Sequence, residues 1–247
     1  MSEQSIREAT TSTESLSRNE KEIDERDQNN LENITTLQVT GPPPAFDPLK
    51  KIKEGFNHFK INDFNKNTAY YRKLAEKDEP KFLIFACSDS RVCPANVLNL
   101  RPGEAFVNRN IANMVPVSNK AKYCEIGAII KYAIAVKKVE AILVMGHSRC
   151  GGINRLVSLP DKQTSSDFVD EWVSLGKAAK KKVLAKNPKA SGEQLRTLVE
   201  KESVMGSLAN LLSYPLVKTG VANKKIKLIG GYYDFVKGNF DILGTRS

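Results

Sequence analysis

Two short apolar runs, "KFLIFA" from Lys81 and "EAILVMG" from Glu140, constrain this chain most. Each is short for a core helix and lacks polar–apolar alternation. Such a strand is buried on both faces, so its sheet needs a layer of helices on either side. Between the two runs lies "CEIGAIIKYAIAV", an apolar helix pattern. A helical crossover sets the flanking strands parallel and close together. "EAFVNR" adds a strand, and "KKIKLIGGYYDFVKGNFDIL" reads as a strand, a Gly-Gly break and a final short strand. "DFVDEWVSLGKAAKKKVLAK" reads as one long surface helix. In "EQLRTLVEKESVMGSLANLLSYP" the residues Leu195, Leu198, Val199, Leu208 and Leu212 form one stripe, and Pro215 ends the helix. The expected fold class is α/β, a mostly parallel central β-sheet flanked by helices.

Residues 1–46 are expected to be a disordered polar tail with a Pro-rich linker, "GPPPAFDP". From residue 47 the pattern turns helical, with Ile52, Phe56 and Phe59 on one face, then Phe64, Tyr71 and Leu74. These are read as an N-terminal helical arm belonging to a domain over 47–247. Residues 1–35 carry four basic and nine acidic side chains, a net of −5. The whole chain is +10, so the remainder carries +15. Many of those lysines lie in "GKAAKKKVLAKNPK", which reads as a solvated helix face. Without interleaved aromatics it does not point to nucleic acid. No run of 18 apolar residues occurs, so no membrane span is expected. Four cysteines in 247 residues do not make a disulfide framework. With Glu3, Glu8, Glu14, Glu20 and Glu22 opposing a transit peptide, the expected compartment is the cytoplasm.

In parallel sheets, ligands collect beyond the carboxyl ends of the strands. "KFLIFACSDSR" delivers Cys87, Asp89 and Arg91 there, and "AILVMGHSRCGG" delivers His147 and Cys150. Two thiolates and one imidazole suit zinc, and three protein ligands leave one position open for chemistry. Cys93 and Cys124 are candidates for a fourth ligand, though each reads more simply as a packing residue. A buried Cys or His alone is ordinary. Three at strand ends, beside glycines that permit close backbone approach, are not. Asp89 and Arg91 are spaced to pair in a turn, with Arg holding the carboxylate bidentately. Beside zinc, Asp89 would accept a hydrogen bond from bound water, or swing in as a ligand itself.

"ACSDSRV", "GEAFVNRN" and "GHSRCGG" together resemble the β-class carbonic anhydrases, and "GGYYDFVKG" resembles their plant branch. The likeness spans roughly residues 48–243 and includes the separation of 60 between Cys87 and His147. The resemblance implies the β-carbonic anhydrase fold and one Zn2+ per chain. It implies reversible hydration of carbon dioxide to bicarbonate and a proton by a zinc-bound hydroxide. Cys87, His147 and Cys150 match the zinc ligands, and Asp89 and Arg91 match the catalytic dyad. Phe106, Ile111 and Tyr132 match the substrate pocket, partly across a subunit boundary, and the Gly151 N–H matches a substrate donor. A homodimer or higher assembly of dimers is implied, with the helical arm embracing the partner.

Two positions depart from the pattern. Plant members carry Gln nine residues before the first Cys, donating to bicarbonate. Here that position is Asp78, which when ionised cannot donate and would repel an anion. A His that relays protons in plant relatives aligns with Val136, which leaves Tyr132 or external buffer for proton release. Asp78 keeps a second reading open, a weakly active zinc scaffold that binds a partner or small ligand. A third keeps the fold and moves the substrate to carbonyl sulfide or carbon disulfide.

Overall fold

The computed structural model describes residues 45–119, 124–160 and 167–247, so the expected tail over 1–44 lies outside it. The chain divides into two units, residues 1–63 and 64–247. In the first, helix α1 (Pro48–Phe59) starts where Asp47 accepts from the amides of Leu49 (2.9 Å) and Lys50 (3.1 Å). Pro48 occupies the first helical position, where its missing N–H costs nothing. Ile52, Phe56 and Phe59 repeat at helical spacing as expected, and all three are exposed.

The second unit runs through α2 (Thr68–Glu76), β1 (Phe82–Cys87), α3 (Pro94–Val97) and β2 (Ala105–Asn110). It continues through α4 (Cys124–Lys131) with a π turn over Tyr132–Val136, β3 (Ala141–His147), α5 (Gly151–Ser158) and α6 (Phe168–Val173). It ends with α7 (Lys177–Lys186), α8 (Gly192–Leu211), α9 (Pro215–Ala222), β4 (Lys227–Asp234) and β5 (Asn239–Arg246). The strands form one sheet in the order β2-β1-β3-β4-β5. The first four are parallel, and β5 runs antiparallel on β4. The apolar runs from Lys81 and Glu140 are β1 and β3, side by side with Ala86 opposite Met145.

The pleat explains why these strands lack alternation. Leu83, Phe85, Ile142 and Val144 pack on one face with Ile126 and Ile130 of α4 and Val204, Leu208 and Leu211 of α8. Ile84, Ala86, Leu143 and Met145 pack on the other face with Val92. Both sets are removed from water, and truncating any one of the large members to Ala should cost about 2–5 kcal/mol.

Three expectations are corrected. The Gly-Gly break is absent: β4 runs through Gly230 and Gly231, with a register shift between them. A Cβ on Gly230 would stand 2.9 Å from Leu208 of α8, and one on Gly231 would stand 2.6 Å from Phe240. The glycines therefore admit close neighbours on both faces rather than ending the strand. The long surface helix is two helices, α6 and α7, joined by a 3-10 turn over Ser174–Gly176. Gly176 lets Leu156 and Met114 approach where a Cβ would meet them at 2.5 and 2.9 Å. Pro215 does not end α8, which stops at Leu211; it opens α9, the position proline favours. No helix among the described residues is long and apolar enough to cross a membrane.

Candidate metal centre

The carboxyl ends of β1 and β3 place Cys87 and His147 on one sheet edge, and the turn after β3 delivers Cys150 as the N-cap of α5. All three are buried. Their two sulfurs and one imidazole nitrogen lie within 4.8 Å of one another. The turn is tight, with Arg149 at φ 52°. Behind it, the Cys150 amide donates to Glu200 Oε1 (2.9 Å), and Glu200 Oε2 accepts from the Tyr232 hydroxyl (2.7 Å).

His147 Nδ1 lies 2.9 Å from the Ser148 carbonyl oxygen. A carbonyl only accepts, so in the neutral ring Nδ1 carries the proton and Nε2 the lone pair. Nε2 is buried and has no hydrogen-bond partner. An orphaned polar atom of this kind costs free energy unless a ligand satisfies it. Two sulfurs and one nitrogen with a lone pair are donors that suit zinc, so the residues fit that ion. Neither Cys93 nor Asp89 joins the cluster. Cys93 is the N-cap of α3, and the Cys124 side chain lies outside the described set.

The electrostatics of the trio are coupled. The Cys150 thiol, donating toward Cys87, pulls the latter down to about 4 against the effect of burial. Cys150 is pushed up by that same contact and by burial. At His147 burial opposes the charged ring, but the Cys87 thiolate beside it outweighs burial and raises the imidazole. Of the three, only Cys87 is pushed toward its anion, so the trio places one thiolate beside a thiol and an imidazole. The Ala112 amide also points at Cys87 Sγ (3.3 Å), from a residue held at φ 61°.

Asp89 and Arg91 form the expected fork. Arg91 Nε meets Asp89 Oδ1 at 2.9 Å, and the terminal nitrogen meets Oδ2 at 2.7 Å. The hydrogen-bonded guanidinium holds Asp89 well below the usual carboxylate range, against its partial burial. Arg91 also donates to the Arg149 carbonyl (3.2 Å) and lies 4.4 Å from the Phe235 ring centroid. Ile111 borders the trio through Gly152, where a Cβ would stand 2.7 Å from Ile111 Cγ2. Gly151, the first residue of α5, faces open space.

The remaining expected pocket residues do not join this group. Asp78, Phe106 and Tyr132 meet at the opposite edge of the sheet. Phe106 lies near the start of β2, opposite Leu83, and its ring stacks on Tyr132 at 5.8 Å. Asp78 precedes β1 and pairs with Lys137, which follows the π turn. Leu83 and Cys87 are four residues apart, about 13 Å along an extended strand. Val136, the position of the missing relay His, ends that same turn and is exposed.

Sequence reading missed the supports. Arg109 donates to the carbonyls of Cys87 (2.9 Å), Asp89 (2.7 Å) and Val92 (2.6 Å), tying the first motif's loop to β2. Glu200 carried one signal, an acid beside the apolar stripe at Leu195 and Val199. Nothing local marked Ala112 as strained.

Comparisons with known proteins agree with this geometry. The profile of the carbonic anhydrase family matches residues 82–240. Beta carbonic anhydrase 3 of Arabidopsis thaliana is 47% identical over 198 residues, covering 79% of this chain and 77% of that protein. The solved β-carbonic anhydrase CcaA superposes with a TM-score of 0.74 at 28% identity, covering 79% of this chain and 95% of its own. A structure from a study of two tetrameric β-carbonic anhydrases of Sordaria macrospora gives 0.72 at 26% identity, covering 81% and 98%. With its buried Cys-His-Cys cluster on the edge of a mostly parallel sheet, the chain belongs to the β-class carbonic anhydrases, zinc enzymes that interconvert carbon dioxide and bicarbonate.

Proposed function

We propose that Cys87, His147 and Cys150 hold one Zn2+ per chain, and that Asp89, Arg91, Ile111 and Gly151 form the near side of the substrate site. A second copy of the chain supplies Asp78, Phe106 and Tyr132. The observation that carries the metal assignment is His147 Nε2, buried without a partner beside two buried sulfurs. Zinc, when bound, supplies a Lewis acid that makes water nucleophilic near neutral pH.

The chain's own residues do the rest. Asp89, kept ionised by Arg91, only accepts hydrogen bonds. It takes one from water at the open side of the site and so aims the oxygen lone pair at carbon dioxide. Arg91 engages both carboxylate oxygens and fixes that orientation. The Gly151 N–H belongs to the first turn of α5, where amides lack intrahelical acceptors, and it donates to the anionic product. Ile111, with Phe106 and Tyr132 of the second copy, makes an apolar wall for carbon dioxide.

The assembly reading is supported by the division of the pocket residues between two sheet edges and by the exposed apolar face of α1. The Sordaria relatives are described as tetrameric. A cytoplasmic setting is supported by the free thiols Cys87, Cys93 and Cys150. Asp78, the motive for an inactive scaffold, has its charge matched by Lys137. Nothing in the site favours a sulfur-containing substrate.

Cobalt substitution tests the metal assignment. The Co2+ protein should show an intense thiolate-to-metal absorption that weakens in Cys150→Ala and in Cys87→Ala. An unchanged spectrum in either variant would remove that residue from the site.

A further inference from the structure

We infer that Lys137 is a substrate-binding residue for bicarbonate, positioned by Asp78, and that it serves the metal centre of the neighbouring copy. The inference rests on the carbonic anhydrase reading and deepens it at one residue.

The local geometry is built by the π turn. The Lys137 amide donates to the Tyr132 carbonyl (3.1 Å), a five-residue step in place of the usual four. Single π turns of this kind often mark functional positions. Lys137 thereby comes back over the residue that opened the turn. Its ammonium lies 5.7 Å from the Tyr132 ring centroid and hydrogen-bonds the Asp78 carboxylate. Tyr132 in turn stacks on Phe106. The Lys137 side chain is only 19% exposed, low for a lysine, while Tyr132 remains 45% exposed beside it.

An ammonium has three N–H donors. Asp78 takes one, and among the described residues no other group accepts from Lys137. Donors are therefore left at the edge of an accessible aromatic shelf, which suits a small oxyanion. Alone, Asp78 would repel bicarbonate. Paired, Asp78 and Lys137 are formally neutral together and still present N–H groups. That is the property of the neutral amide which the family resemblance places at position 78. Hydrogen bonding keeps both partners ionised, with Asp78 lowered and Lys137 raised. The metal trio of the same chain lies a strand's length away, so the complementary centre belongs to a second copy.

The test uses the zinc-loaded full chain, with bicarbonate as the probe. Lys137→Met should raise the KM for bicarbonate in the dehydration direction about tenfold, the loss of one charge-assisted hydrogen bond. Zinc per chain and assembly size should be unchanged. Lys137→Arg should retain most of the affinity. The double variant Asp78→Gln/Lys137→Leu, which restores a neutral amide donor, should return KM toward wild type. If Lys137→Met fails to assemble, Asp78→Leu/Lys137→Leu, which removes the charged pair together and restores no donor, carries the test and should show the raised KM. Mixed pairs of a Cys150→Ala chain with a Lys137→Met chain, isolated by a different tag on each, should recover the low KM, because the remaining zinc centre of such a pair faces an intact Lys137. An unchanged KM in correctly assembled Lys137→Met would overturn the binding role. A KM that stays high in the mixed pairs would overturn its action across the interface. Zinc-loaded wild type with no turnover would instead overturn the enzymatic reading, and the inference with it.

Discussion

The backbone amide of Cys150 donates to Glu200 Oε1 at 2.9 Å, so a metal-ligand turn is pinned by a carboxylate fifty residues further along the chain. Glu200 is buried, and burial raises its carboxyl despite the Tyr232 hydroxyl and Cys150 amide that oppose the rise. Glu200→Ala would leave both donors unsatisfied, at about 1–3 kcal/mol each. Zinc affinity should fall about 10- to 100-fold, as for other groups that orient metal ligands. Tyr232→Phe should show a smaller loss. Competition against a chromophoric chelator measures both.

Asp89→Ala should keep its zinc and lose turnover. The carboxylate orients the nucleophile but lies outside the ligand cluster. A loss of about a hundredfold is expected for a group of this kind. Metal analysis and stopped-flow rates on one sample separate the two effects.

The same carboxylate gives a pH dependence to stability. Arg91 holds Asp89 below its ordinary value of 3.8, so the unfolded chain binds this proton more tightly than the folded one. The contribution is complete above that ordinary value and is lost as pH falls through the depressed folded value. Wild type should therefore lose more stability than Asp89→Asn as the pH is lowered below about 4. Urea unfolding across that range checks the sign, and parallel curves would contradict it.

Gly152 and Gly151 should respond differently to alanine. At Gly152 the new methyl would stand 2.7 Å from Ile111 and 3.0 Å from the Ala112 Cβ, displacing the strained residue whose amide points at Cys87. Destabilisation of about 1–3 kcal/mol is expected, as for other overpacked sites. At Gly151 nothing lies within 4 Å, and stability should hardly change. Thermal unfolding of the two variants compares them directly.

The central sheet was legible because β1 and β3 are buried on both faces and read as continuous apolar runs. The metal trio was legible because topology sends the ends of adjacent parallel strands to one edge. The interruptions were not. Gly230 and Gly231 look like a break in sequence, yet they make room for Leu208 and Phe240, neighbours set by tertiary packing. Gly176 lies in the turn between α6 and α7 and makes room for Leu156, twenty residues earlier. Glu200 and Arg109 were missed because each acts on backbone groups remote in sequence. Lys137 was missed for a similar reason, since its partner Asp78 lies 59 residues away.

The most direct measurement is stopped-flow carbon dioxide hydration by the purified full chain in strong buffer, with zinc determined on the same sample. Fast hydration with about one zinc per chain, lost on chelation and restored by zinc, is the expected result for an open three-ligand site. Zinc-loaded protein without hydration, or full activity in zinc-free Cys150→Ala, would contradict it.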